Sequence, residues 1–231
     1  PAAWGVFQQP VMDEYGLSEQ GAGYAFGILI AAFGVGCVLG GFLQDSRGPR
    51  CAALWGTALL CGGFFAAAML PGGSAGSFFL AFSIPAGLGT AFLYPSIQSC
   101  AQKWYAGRKG LATGVIGGAV GLSGAFLTVF VRTAVSGFGI VQGIRGAFWA
   151  LGAITLPACL AGSLLLQDPP QDAEKQQQSD KNTIDLSPWQ MLKTKQYWLC
   201  AGAVCFSTPA VLLFSPIILK LGVERGLDES A

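Results

Sequence analysis

The chain contains no histidine, and only 11% of its residues are charged. The first absence removes a histidine metal site, a Ser-His-Asp triad and a histidine proton relay from the functions open to it. The second lies far below the roughly 25% charged residues of a soluble domain. Charge is balanced as well as scarce, 13 basic against 12 acidic residues, so no nucleic-acid surface is implied. The seven cysteines (37, 51, 61, 100, 159, 200 and 205) form no Cys-x-x-Cys pair and lie in or beside apolar runs. They read as small buried hydrophobes, not as a disulfide framework or zinc site. Nothing here calls for a cofactor or a metal.

What the sequence has instead is apolar surface: 52% of its 231 residues, a mean hydropathy of +0.54, and 34 glycines. Abundant glycine suits membrane bundles, where small residues let helices approach closely. The chain begins at Pro1 without an initiator Met or a signal-peptide n-region and stops in a polar stretch at Ala231, so it reads as a fragment.

Residues 41–50 (GFLQDSRGPR) organise the rest. They separate two runs, 21–43 and 51–70, that contain no Asp, Glu, Lys or Arg. Each run is close to the roughly 20 residues needed to cross the hydrocarbon core. Gly48 permits a tight reversal and Pro49 removes a backbone donor, so a helix–loop–helix at a membrane surface is expected.

Residues 1–10 are too short to span and read as the outer end of a first helix. Trp4 and Gln8 lie one turn apart on it. Asp13, Glu14 and Glu19 read as an aqueous loop, with Ser18 as the cap of the next helix. In the second span, Ala32, Gly36 and Gly40 recur every four residues as a stripe for close contact. The fourth span, 77–100, carries Ser83, Thr90, Tyr94 and Gln98 on one face together with Gly87. That face is expected to line a cavity or to hydrogen-bond a neighbouring helix. Pro95 would bend this helix near Ala91.

Beyond it, Lys103, Trp104, Tyr105, Arg108 and Lys109 suit an anionic headgroup zone. The fifth span, 110–131, has two small-residue rows, Gly110-Gly114-Gly118 and Gly117-Gly121-Ala125, each expected to seat a neighbour. A long connection, 131–146, precedes a sixth span at 147–166. Segment 167–195 is polar and expected to be flexible, ending in a short surface helix after Ser187-Pro188. A seventh span follows at 196–219, with Ser207 and Ser215 on it and bends expected at Pro209 and Pro216.

Orientation follows from counting. With the Asp45 loop inside, nine basic residues are cytosolic (Arg47, Arg50, Lys103, Arg108, Lys109, Lys175, Lys181, Lys193, Lys195) and four are outside (Arg132, Arg145, Lys220, Arg225). The excess favours this topology.

The spacing Gly41-x-x-x-Asp45-x-x-Gly48-x-Arg50 resembles the signature between helices 2 and 3 of the major facilitator superfamily. Ser46 stands where the family usually has a basic residue directly after the acid. Gly48-Pro49-Arg50, Lys103-Trp104-Tyr105 and residues 108–114 (RKGLATG) resemble the oxalate/formate antiporter and monocarboxylate-porter branch. So do residues 145–149, 191–194 and 196–198. The glycine row ending in Gly-Pro that marks drug/proton antiporters is missing, because residues 121–124 (GLSG) contain no Pro.

The resemblance implies an all-α, multi-spanning bundle of the major facilitator type, incomplete here. Residues 1–166 would form the N-terminal six-helix bundle with helix 1 truncated, 167–195 a flexible cytosolic central loop, and 196–231 helix 7 and the start of the second bundle. It implies a secondary active or facilitative transporter of a small solute, an organic anion (a mono- or dicarboxylate), working by alternating access. The expected location is multi-pass in a membrane, the plasma membrane being the first choice and the sequence leaving which membrane open. Gly41, Asp45, Gly48, Arg50, Arg108, Lys109 and Gly110 would form the gate, and Gln8, Ser83, Thr90, Tyr94 and Gln98 the cavity lining. The partners are then the solute and the lipid bilayer. A non-transporting multi-pass protein, such as a receptor or assembly subunit, is the alternative. An intramembrane enzyme is disfavoured, because no span carries a His, Asp or Glu for acid–base work.

Overall fold

Two glycines with positive φ set the first boundaries. Gly16, at φ 63°, ends helix α1 (Trp4–Tyr15), and the Leu17 N–H reaches back to the Met12 carbonyl at 3.1 Å. A side chain at such a φ would clash with its own backbone, which is why glycine holds the place. Helix α2 (Glu19–Arg47) then starts on Ser18, whose hydroxyl accepts the Gly21 N–H at 3.1 Å, the cap read from the sequence. Gly48, at φ 84°, donates its N–H to Gln44 O at 2.8 Å and is the whole connection to α3 (Pro49–Met69), which opens on Pro49.

The computed structural model describes residues 4–70, 75–138, 140–168, 188–191 and 193–206. After α3 come α4 (Ala75–Phe78), a π-helical turn (Phe79–Ser83) and α5 (Ile84–Trp104), which together make one span. A 3₁₀ turn (Ala106–Arg108) leads into α6 (Lys109–Phe138), and α7 (Ile140–Leu165) follows. A single turn, α8 (Pro188–Met191), precedes a helix over 195–206. Among the described residues there is no strand. Among the described residues, five helices are long and apolar enough to cross a membrane: Glu19–Arg47, Pro49–Met69, Gly76–Trp104, Ala106–Phe130 and Ile144–Leu165. They coincide with five of the expected spans. Most of the segment expected to be flexible (169–187, with the cap Ser187), and the end of the seventh span with Ser207, Pro209, Ser215 and Pro216, lie outside the described residues.

Several boundaries differ from expectation. Asp13 and Glu14 lie in the last turn of α1, not in a loop, because nothing after Pro10 breaks the helix until Gly16. Residues 44–47 likewise extend α2. The expected connection 131–146 is helical at 131–138 and 140–146, since an arginine does not end a helix that can continue past the apolar core. Pro95 lies inside a continuous α5; the departure from α geometry comes at Phe79–Ser83. Pro85 has no N–H, and its ring crowds the carbonyl one turn back, at Ala81, so a widened turn there relieves both.

α5 is the central helix, packed between α2 and α3. A Cβ on Gly36 would lie 2.6 Å from the Ala91 Cβ, and one on Gly87 would lie 2.5 Å from Leu29 O. On the other side, a Cβ on Gly89 would lie 2.5 Å from Leu60 N and one on Gly56 2.8 Å from Gly89 O. These helices touch backbone to backbone, as the stripe of Ala32, Gly36 and Gly40 predicts. The glycine rows of α6 are different. Nothing lies within 4 Å of a Cβ built on Gly110, Gly114, Gly117, Gly118 or Gly121, so among the described residues they seat no neighbour.

α7 packs against the outer side of α3, with α6 against α7. At one end, Phe7, Tyr15, Phe64, Phe78, Phe82 and Phe148 close an aromatic core whose ring centroids lie 4.8–6.4 Å apart. The Tyr15 hydroxyl donates to Ala67 O at 2.7 Å. Each such ring pair contributes about 0.5–1.5 kcal/mol beyond area burial. At the same end, Arg145 Nε lies 2.6 Å from Glu14 Oε1. The N–H is not aimed as a hydrogen bond, so charge holds this contact. Between α3 and α7 the buried hydroxyls of Thr57 and Ser163 pair at 3.1 Å.

Two expectations follow. Gly89→Ala pushes a methyl into backbone and should destabilise by about 1–3 kcal/mol. Gly62→Ala, on an open face, should change stability by less than about 0.5 kcal/mol. Thermal unfolding of the purified protein in detergent compares them, and equal midpoints would refute the close α3–α5 seam. For Glu14, whose side chain is 4% exposed beside an Arg145 that is 37% exposed, Glu14→Gln should cost about 1–3 kcal/mol. That range lies between an exposed and a fully buried pair. A double-mutant cycle with Arg145→Met showing no coupling would mean the pair contributes nothing.

Candidate functional site

The polar face of α5 does not act as one surface. Ser83 sits in the π turn, fully buried, and its hydroxyl has no hydrogen-bond partner among the described residues. The Thr90 hydroxyl bonds back to Ala86 O of its own helix at 2.8 Å, a use of Thr that leaves little to offer a ligand. Among the described residues, it is the last three turns of α5 that open. Tyr94, Pro95, Gln98, Ser99 and Gln102 of α5, with Phe33 and Cys37 of α2, line an open cavity of about 340 Å³. Gln8, half-buried on α1, is not among its lining residues.

Within that cavity some polar groups are already engaged. The Gln44 amide donates to the Ser99 hydroxyl at 2.9 Å, and the Gln102 amide donates to the Thr113 hydroxyl of α6 at 2.9 Å. The Tyr94 hydroxyl and the Gln98 carboxamide make no hydrogen bond to another described residue. They are neutral groups, able to donate to or accept from a polar solute, and among the described residues no charged side chain lines the space. The Pro95 ring removes one backbone donor from the same wall.

The signature residues are placed separately. Gly41 is half-buried and Gly48 makes the one-residue turn. Asp45 is exposed and forms no ion pair among the described residues. Arg50 makes no ion pair with it among the described residues: Nε donates to Leu164 O at 2.9 Å, and Nη2 also reaches that oxygen. A guanidinium on the last turn of α7 satisfies a carbonyl that the helix itself leaves open. Arg108, Lys109 and Gly110 are exposed at the corner between α5 and α6. The structure therefore does not join Asp45, Arg50 and Arg108 into one charge cluster.

Contacts that the sequence pattern did not reveal lie at the same end. Lys103 Nζ pairs with Asp168 at 3.0 Å, and Trp104 Nε1 donates to Gln167 O at 2.8 Å. Cys100 Sγ also reaches Gln167 O, at 3.1 Å. These tie the first two residues of the stretch expected to be flexible to the end of α5. Partners more than sixty positions apart leave no local periodicity; the only sequence cue is that both follow the end of an apolar run.

The sequence matches the Major Facilitator Superfamily over residues 2–231. It is similar to the oxalate:formate antiporter of Oxalobacter formigenes, 25% identical over 199 residues, which is 85% of this chain and 45% of that protein. It is also similar to an uncharacterised 38 kDa protein in the 23S RNA operon of Thermoproteus tenax, 27% identical over 220 residues, 95% of this chain and 53% of that one. The chain thus spans about half the length of the curated relatives it matches. Among solved structures, a peptide transporter, POT, determined as a mutant in complex with sulfate, shares the fold. The TM-score is 0.52 and the identity 24%, over 92% of this chain and 43% of that one. With five apolar helices of spanning length and this match, the chain is a multi-pass integral membrane protein and belongs to the Major Facilitator Superfamily.

Proposed function

We propose that the protein moves a small organic anion, a mono- or dicarboxylate, across the membrane by alternating access, with this bundle forming one wall of the path. The observation that carries the reading is the cavity of about 340 Å³ beside α5. Its free polar groups, Tyr94 and Gln98, sit in a chain otherwise built of apolar helices and glycine seams. A polar side chain facing a cavity in a membrane bundle is expensive unless it meets a solute, water or a partner. The similarity to the oxalate:formate antiporter supports an anion as that solute. Neutral donors on this wall would orient a carboxylate, and its charge would be matched by basic groups on an opposing bundle.

In this reading residues 1–166 act as one rigid unit, and a second bundle begins after the central segment. Asp45, exposed at the end of α2 and unpaired among the described residues, would meet a helix N-terminus of that second bundle. Such a contact contributes about 0.3–1 kcal/mol when exposed and up to about 2 when partly buried. Around 1.4 kcal/mol shifts a two-state ratio tenfold, enough to bias the inward–outward balance.

The test is counterflow by the full-length protein in proteoliposomes, with radiolabelled oxalate and formate as probes. Tyr94→Phe and Gln98→Ala should each raise KM about tenfold or more, as expected for losing a hydrogen bond to a charged group. Asp45→Asn should lower the rate with expression intact. Transport that ignores both cavity variants would remove the cavity from the path. Full activity in Asp45→Asn would remove the acid from the gate.

A further inference from the structure

The corner between α5 and α6 is positively charged and aromatic. Gln102 bonds to Thr113 across it, and the Trp104 indole donates to Gln167 O, so each helix end carries one tether. The acid nearest in the ion-pair pattern, Asp168, is matched by Lys103. Arg108 and Lys109 are exposed with no acid paired to either among the described residues, beside a Tyr105 that is 61% exposed.

Helix α6 continues this corner into the membrane. Leu111, Val115, Leu122, Phe126 and Val129 follow one another at steps of four, seven, four and three, and so run down one side, with Arg108 in the 3₁₀ turn immediately before the helix. The five apolar residues are 63–74% exposed. The glycine row Gly110-Gly114-Gly118 lies to one side of this stripe, roughly a quarter-turn away at 3.6 residues per turn. One side of α6 is therefore smooth, and the adjoining side is bulky, apolar and topped by a guanidinium. Bulky side chains of this kind belong among acyl chains, and a basic–aromatic cap belongs at the headgroups.

We infer that this corner seats an anionic phospholipid. The headgroup phosphate rests on Arg108 and Lys109 beside Tyr105, and the acyl chains lie along Leu111 and Val115. Charge complementarity selects the occupant, because each basic residue near a membrane surface favours anionic lipid by a similar increment. The site is a property of the folded bundle and needs no assumption about which solute the protein moves.

The experiment uses full-length protein in detergent, titrated with dioleoyl phosphatidylglycerol or dioleoyl phosphatidylcholine. Bound lipid is read by native mass spectrometry and stability by thermal unfolding. The wild type should retain phosphatidylglycerol over phosphatidylcholine, and Arg108→Gln/Lys109→Gln should weaken that retention about 30-fold. Arg108→Lys/Lys109→Arg should keep it, with unfolding in phosphatidylcholine the same for all three proteins. Three results would overturn the site: full phosphatidylglycerol retention in the Gln pair, an equal loss in Lys193→Gln/Lys195→Gln, which reports only diffuse charge, or inorganic phosphate alone reproducing the stabilisation. If the double variant does not fold, Arg108→Gln alone is compared with wild type, and undiminished retention there also overturns it.

Discussion

Everything in this bundle depends on how closely α5 approaches its two neighbours. Gly87 and Gly89 stand two residues apart, and so face opposite sides of the helix. The would-be Cβ of the first meets the α2 backbone at 2.5 Å and that of the second meets the α3 backbone at 2.5 Å. In lipid there is no water for helices to expel by associating, so dispersion across such seams is the main attraction between them. A helix pinned on both sides cannot roll. The Gly87 side of α5, which also carries Tyr94 and Gln98 at steps of seven and four, is then fixed toward α2, whose Phe33 and Cys37 complete the cavity, so the geometry of the candidate site follows from the same glycine seam.

That seam was legible in the sequence because close approach demands small residues at the helical period, and Ala32, Gly36 and Gly40 supply them. The Gly48 turn and the Ser18 cap were legible for similar local reasons: a positive φ and an orphan N–H each admit few residue types. The five central spans could be read from the length of uncharged sequence alone.

What could not be read is what each face meets. Period four puts Ser83, Thr90, Tyr94 and Gln98 on one side of α5, yet burial in the π turn withdraws the first and a bond to Ala86 O occupies the second. The same pattern in α6 describes glycine rows that touch nothing within 4 Å, because periodicity specifies a face and not its neighbour. Charge misled at Glu14. An acid in a polar stretch reads as solvated, and only the fold brings Arg145, 131 positions later, within 2.6 Å of it. Arg50 shows the converse. The sequence places it beside Asp45, but the open carbonyl of Leu164 at the end of α7 is the partner it reaches.

The two ends of the bundle are closed by different physics, and this bears on how it can move. The end at Tyr15 and Phe148 is shut by overlapping rings and a nearly buried carboxylate, a contact set that is lost together or not at all. The end at Asp45 is shut by single tethers: Arg50 on Leu164 O, Trp104 on Gln167 O, and a Lys103–Asp168 pair whose side chains are 39% and 36% exposed. An exposed ion pair contributes only about 0–1 kcal/mol, the neutral Trp104 bond about 0.5–1.5 and the charged Arg50 bond about 1.5–3, each standing alone. Local opening begins where contacts are few and solvated, so the Asp45 end loosens first while the aromatic end keeps the helices in register. In the proposed alternating-access cycle this division would suit a bundle that pivots as a unit: one end stiff enough to carry the motion, the other able to exchange its partners.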